Sequence, residues 1–223
     1  VKSPGIISTW PDDGAQDVDP YSDVEIYFAG PMQRDALLDH LTILPEPTDV
    51  YTYWSQSDTE LRLAFPKEPA TSYEVELDAE YADKYGLSLG ESLRLRFTTG
   101  DLSAYAGLST LGDVGTFNAY TDTVLYSRHR NVSRLDLGLY RLSLDTFMRL
   151  HGYGSYDYRR EFRPAQTDLL RQWSMPVEGP RNTSFLTQLD LVDAEGGQLP
   201  PGIYYVELSA PEVLAQDPEA APA

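Results

Sequence analysis

Apolar and polar residues alternate with period two through the first hundred residues. Val24, Ile26 and Phe28 are separated by Glu25 and Tyr27; Leu61, Leu63 and Phe65 by Arg62 and Ala64. The same rhythm returns at Tyr73, Val75 and Leu77 and at Leu93, Leu95 and Phe97. Alternation at this period places one set of side chains on each face of an extended chain and predicts half-buried strands. The stretches LTILPEP (41–47) and VYTYWS (50–55) predict two more short strands, and QRDALLDHL (33–41) at most two helical turns. Turn residues recur every eight to twelve positions or so, the spacing of a β-sandwich. The polar faces fit one another as well: Glu74 and Glu76 are expected opposite Arg94 and Arg96, an opposite-charge ladder across two strands.

The alternation breaks at FTTGDLSAYAGLSTLGDVG (97–115), where small residues dominate, and a domain boundary is expected near Gly100. Beyond it the chain is again strand-rich. TDTVLYSRHRN (121–131) and SRLDLGLYRL (133–142) are expected as neighbouring strands, with Leu135, Leu137 and Leu139 on one face. Ser143, followed by Asp145 and Thr146, marks a helix start. YGSYDYRREFRPAQTDLLRQW (153–173) reads as loop plus short helix. The segment from Ser184 to Ala210 reads as strand, loop and strand, with Tyr204, Val206 and Leu208 inward and Gly202 at the turn. The Pro/Ala/Glu-rich end, 211–223, has the composition of a linker. The expected fold is all-β: two consecutive β-sandwich domains, 1–100 and 101–210, with short helical insertions and a tail at 211–223.

Charge narrows the function. The chain has 35 acidic and 17 basic residues, a formal net charge of −18. Such a surface repels phosphate backbones and anionic lipid, and no basic stripe offsets it, so nucleic acid is not an expected partner. No apolar run approaches the roughly 18 residues of a membrane span, so direct membrane insertion is not expected. The opening VKSPGII shows no signal-peptide pattern, as in a mature form or an excised segment. Cysteine is absent, which removes disulfides, thiol catalysis and cysteine–metal sites together. Two sequons, Asn131-Val132-Ser133 and Asn182-Thr183-Ser184, are tripeptides that often occur by chance.

Candidate chemistry is sparse. Asp12, Asp13, Asp17, Asp19 and Asp23 crowd ahead of the first regular strand. Calcium takes six to eight oxygens from a tight loop, but Pro20 stands where a turning glycine is needed and no glutamate follows in register. Turn formation accounts for the same residues more simply, with Asp12-Asp13-Gly14 after Pro11 and Asp19-Pro20 starting a second turn. His40, His129 and His151 lie far apart, without partners at metal-ligand spacing. HGYGSYDY (151–158) lacks the strand–turn–helix frame of a nucleophile elbow, and no phosphate loop or paired-carboxylate motif stands out. No catalytic, cofactor or metal residue is therefore assigned, and the chain is not expected to be an enzyme. One cluster differs in kind. Tyr153, Tyr156 and Tyr158 lie beside Arg159, Arg160 and Arg163, and tyrosine and arginine are the residues enriched where proteins meet. They are the candidate interface; an aromatic loop packed over the sandwich is the alternative.

The first hundred residues resemble a bacterial Ig-like domain, the type first associated with S-layer proteins. The resemblance rests on SPGIISTWPDDGAQDVDPYSDVEIYFAGPM (3–32), TELRLAFPKEPATSYEVEL (59–77) and LRLRFTTG (93–100). These follow a pattern of P-x-[DN]-G-A-x-x-V, a strand ending F-[ST]-x-P-M, and a terminal F-x-T. Ala29-Gly30 replace the usual small polar pair before Pro31-Met32, and Pro66 comes early. The second unit is similar to the N-terminal macroglobulin-like domain of bacterial alpha-2-macroglobulins, a fibronectin-III-like sandwich, through 115–150, 171–191 and 199–211. The pair of resemblances implies a non-catalytic scaffold fragment of a large bacterial protein that captures proteases when they cut a bait region. It also implies an extracytoplasmic location (periplasmic, cell-surface or secreted) and contacts with neighbouring domains, proteases being met through the full-length protein. The reactive thioester of that family needs a Cys-x-x-Gln motif, which this chain lacks. Two rival readings are a cell-surface adhesin or S-layer-type binding module, and the accessory domains of a surface hydrolase.

Overall fold

A computed structural model describes residues 4–217 except 111, 113, 119, 122 and 193–196. The chain divides into two compact units, Val1–Leu102 and Ser103–Ala223, and each unit is a sandwich of two sheets.

In the first unit the alternating segments become β1 (Ile6–Trp10), β2 (Ala15–Val18), β3 (Val24–Phe28), β4 (Leu41–Leu44), β5 (Tyr51–Trp54), β6 (Glu60–Ala64), β7 (Ser72–Leu77) and β8 (Leu93–Thr99). A four-residue helix, α1 (Leu37–His40), precedes β4. One sheet runs in the order β1-β3-β6-β5 and the other β2-β8-β7-β4, with β2 parallel to β8 and the remaining pairs antiparallel. Val24, Ile26, Phe28, Leu61 and Leu63 from one sheet meet Tyr73, Val75, Leu77, Leu95 and Phe97 from the other, all buried. Each such side chain contributes about 1.5–3 kcal/mol by leaving water. The charge ladder forms in the expected register: Glu74 pairs with Arg96 at 2.9 Å and Glu76 with Arg94 at 3.2 Å. Buried Asp58 holds three loops together, since its carboxylate accepts from Arg34 and Lys84 while its backbone carbonyl accepts from the Met32 amide.

The second unit contains β9 (Tyr105–Leu108), β10 (Val124–Arg130), β11 (Arg134–Leu142), β12 (Leu169–Pro176), β13 (Phe185–Asp190) and β14 (Ile203–Ser209). Its sheets run β13-β10-β9 and β12-β11-β14. The expectation that β10 and β11 are neighbouring strands is not met, since they lie in different sheets. Asn131 (φ 54°) turns the chain in the short link 131–133 and sends it to the opposite sheet. The two inward rows, Leu125 with Ser127 and His129, and Leu135 with Leu137 and Leu139, come from those two strands. Tyr204, Val206 and Leu208 of β14 join that core as expected.

Helix α2 (Leu144–His151) begins at Ser143, whose Oγ accepts from the Thr146 amide at 3.1 Å. This satisfies one of the donors a helix start leaves open. A second short helix, α3 (Tyr156–Glu161), follows, and then a 3-10 turn at Gln166–Asp168. Residues 211–216, read from composition as linker, instead form helix α4 (Pro211–Gln216). Proline is preorganised for a first helical turn. Beyond it, Glu212 Oε1 accepts from the Ser133 amide (2.9 Å) and Oγ (2.6 Å), and Val213 packs on the core.

Candidate functional site

The Tyr/Arg cluster lies on α3 and its flanks, and the fold divides it in two. α2 and α3 are joined by a tight turn in which Gly154 takes φ +75°, a conformation that disfavours any side chain. Inside the turn Ser155 is buried, and its carbonyl accepts from the Arg159 amide at 2.8 Å.

One half of the cluster faces the protein. The Tyr158 ring lies under the Arg149 guanidinium (4.6 Å) and beside Phe162 (5.8 Å). Phe162 stands edge-on to Tyr205 at 5.4 Å, and Tyr205 is tilted against its cross-strand partner Tyr140 at 6.3 Å. These rings form a second apolar layer on the face of β11 and β14 that points away from the sandwich core. The Tyr140 ring also lies flat over Gly138, where an added Cβ would fall 2.8 Å from its Cε2. Tyr140 Oη donates to Glu207 at 3.2 Å. Burial and the Glu207 carboxylate push the pKa of both Tyr140 and Tyr205 up, and Arg163 partly offsets the rise at Tyr205. Arg163 itself is exposed, and its guanidinium donates to the Phe162 carbonyl at 2.8 Å.

The other half faces solvent. Tyr153 is fully exposed, Tyr156 is 68% exposed, and Arg159 and Arg160 are exposed beside it. Of the six candidates, Tyr153, Tyr156, Arg159, Arg160 and Arg163 are exposed, while Tyr158 packs between Arg149 of α2 and Phe162, whose ring meets the sheet at Tyr205. The sequence pattern did not separate these roles. The i, i+4 pair Tyr158/Phe162 was the legible sign that one side of α3 packs.

The remaining polar candidates have local structural roles. Asp13 Oδ1 accepts from the amide of Arg96 on β8, tying its loop to that strand, and Asp19 Oδ1 accepts from the Tyr21 amide and closes a turn. His40 bonds the Asp78 carboxylate at 2.8 Å, and His129 is buried against Phe185 with Nε2 at 2.9 Å from Thr187 Oγ1. The His151 ring is tilted against Phe147 at 4.8 Å between centroids. Among the described residues no three His, Asp or Glu side chains gather in a geometry that holds a metal ion.

The eight-strand first unit, with its F-T-T end on β8, agrees with an independent match: residues 1–99 fit the family model described as bacterial Ig-like domain. The fold of the chain extends the similarity beyond that domain. Two crystal structures of Salmonella alpha-2-macroglobulin, a point mutant and the form reacted with methylamine, superpose with TM-scores of 0.68 and 0.69 at 17% identity. Both alignments cover 93% of this chain, which spans 13% of the length of those proteins. At that identity the likeness is one of fold. No curated protein matches the chain in sequence.

Proposed function

We propose that the chain is a non-catalytic scaffold and spacer within a larger bacterial, extracytoplasmic protease-trapping protein. The observation that carries this reading is the order of its parts: an Ig-like sandwich followed by a second sandwich, with fold similarity to one protein family across 93% of the chain. The side chains agree. Asp13, Asp19, His40 and His129 are engaged in hydrogen bonds and an ion pair within the fold, and the most open cluster is one suited to contact. Fold similarity alone does not transfer an activity, so the trap itself must be tested in the parent protein.

In this reading Tyr153, Tyr156, Arg159 and Arg160 dock a neighbouring domain of the parent through an acidic surface. Arginine meets carboxylates in bidentate geometry, and tyrosine adds contact area with few torsions to freeze.

Challenging the full-length parent with an endopeptidase tests both parts. Trapping leaves the protease active on a small peptide substrate and inactive on casein. The isolated chain should neither hydrolyse nor inhibit. Replacing Tyr156, Arg159 and Arg160 by alanine should weaken association of the chain with the rest of the parent at least about tenfold, as hot-spot losses do, while its melting stays close to wild type. A folded parent that traps no endopeptidase would end the proposal. Variants that unfold the chain but still associate would end the docking role.

A further inference from the structure

The open face of the β1-β3-β6-β5 sheet carries an ordered row of side chains. Trp10 on β1 is paired in register with Glu25 on β3, Glu25 with Arg62 on β6, and Arg62 with Tyr53 on β5. Cross-strand partners share a face, and because Val24, Ile26, Leu61 and Leu63 fill the core, this row points to solvent. Trp10 is 45% exposed, Tyr53 57%, and Tyr51, two residues along β5, 59%. The rings therefore stand on the two edge strands. Between them, on the two central strands, lies a polar network. Tyr27 Oη donates to Glu25 Oε2 at 2.6 Å, and Arg62 Nε donates to Glu60 Oε1 at 3.0 Å while lying 3.4 Å from Glu25 Oε1. Three strand spacings put the aromatic edges about 14 Å apart.

We propose that this face binds a neutral polysaccharide, lying across the strands from Trp10 to Tyr53. Charge selects that occupant. Arg62 is already neutralised by Glu25 and Glu60 and offers no net cation to a polyanion, and a chain at −18 repels one from a distance. Hydroxyl groups both donate and accept, so one sugar unit can meet the carboxylate oxygens and the remaining guanidinium N–H groups without either being left unpaired. The C–H faces of pyranose rings are apolar and complement the negative face of an aromatic ring. The network is held by its own hydrogen bonds before any ligand arrives, so little ordering remains to be done on binding. The second sheet of the same unit provides the contrast. Its strand aromatics, Tyr73 and Phe97, are both buried, and its open face is the ladder of Glu74, Glu76, Arg94 and Arg96.

Native electrophoresis of the chain in gels cast with hydroxyethylcellulose, with glycol chitin, or with anionic polygalacturonate tests the proposal. Retardation is expected in at least one of the neutral gels and not in polygalacturonate. Trp10→Ala and Tyr53→Ala should each lower it about tenfold, Tyr53→Phe should retain it, and Leu44→Ala on the opposite sheet should leave it unchanged. Circular dichroism melting confirms that each variant is folded. No retardation in either neutral gel, equal retardation by polygalacturonate, or alanine variants that run as wild type would each overturn the proposal. The measurement uses the chain alone, so it stands or falls separately from protease trapping.

Discussion

Asn131 and Asn182 hold one another by two hydrogen bonds at the end of the β10–β13 pair. Asn131 Nδ2 donates to Asn182 Oδ1 at 2.9 Å, and the Asn182 amide donates to Asn131 Oδ1 at 2.7 Å. Both have left-handed backbone, at φ 54° and 62°, a region asparagine tolerates better than most residues. The pair ties the β10–β11 crossover to the loop before β13. Asn131→Ala removes both bonds and strains the turn, and a loss of about 2–4 kcal/mol is expected. Asn131→Gly keeps the backbone comfortable and should lose less. Urea denaturation of the two variants separates the parts, and equal losses would locate the whole effect in the side chain.

Gly138 is kept small by its neighbour. A Cβ there meets the Tyr140 ring at 2.8 Å, and that ring is pinned by Glu207 and Tyr205. Gly138→Ala is expected to destabilise the second unit by about 1–3 kcal/mol through overpacking. A melting curve superimposable on wild type would show that the Tyr140 ring moves aside freely.

Stability should fall on the acid side in two stages. Burial holds the His129 imidazole below its ordinary value of 6.5. The unfolded chain therefore takes up a proton that the folded chain resists, and stability is full above pH 6.5 and declines as pH drops toward the lower folded value. The carboxylates act later. The hydrogen bond from Lys84, opposed by burial and reinforced by Arg34, depresses Asp58; the His40 hydrogen bond, opposed by burial, depresses Asp78. Their contribution is complete above the unfolded aspartate value of 3.8 and is lost as pH falls through the folded values. Urea midpoints measured from pH 8 to pH 3 should show both stages. His129→Gln should flatten the first and Asp58→Asn the second, each from a lower starting stability.

Calcium should leave the fold unchanged, because Asp13 and Asp19 use their carboxylates to accept backbone amides, of Arg96 on β8 and of Tyr21 in a turn. Melting in excess calcium and in chelator should agree within about 4 °C, the shift that roughly 1 kcal/mol produces in a domain of this size. A larger rise with calcium would assign the Asp12–Asp23 segment a ligand role.

Alternation alone determined where β3, β6, β7 and β8 lie and which of their faces is buried, whereas the start of β12 falls in a stretch read as loop plus short helix. Period two is a local property, and Val24–Phe28 or Leu93–Phe97 needs no distant partner to express it. The ladder of Glu74 and Glu76 with Arg94 and Arg96 was legible for a related reason: two strands whose inward faces are fixed can pair in few registers, and opposite charges favour one of them. Tertiary structure decided what depends on distant partners. β10 and β11 enter opposite sheets because a left-handed residue at 131 turns the chain across the sandwich. The 211–216 segment becomes a helix because Ser133, far away in sequence, offers its amide and hydroxyl to Glu212. Six tyrosines and arginines of similar composition divide into a packed ring and an open patch because Tyr158 is held between Arg149 and the Phe162 ring that reaches Tyr205. Composition names the residues capable of contact, but which of them remain available is settled by the packing of the others.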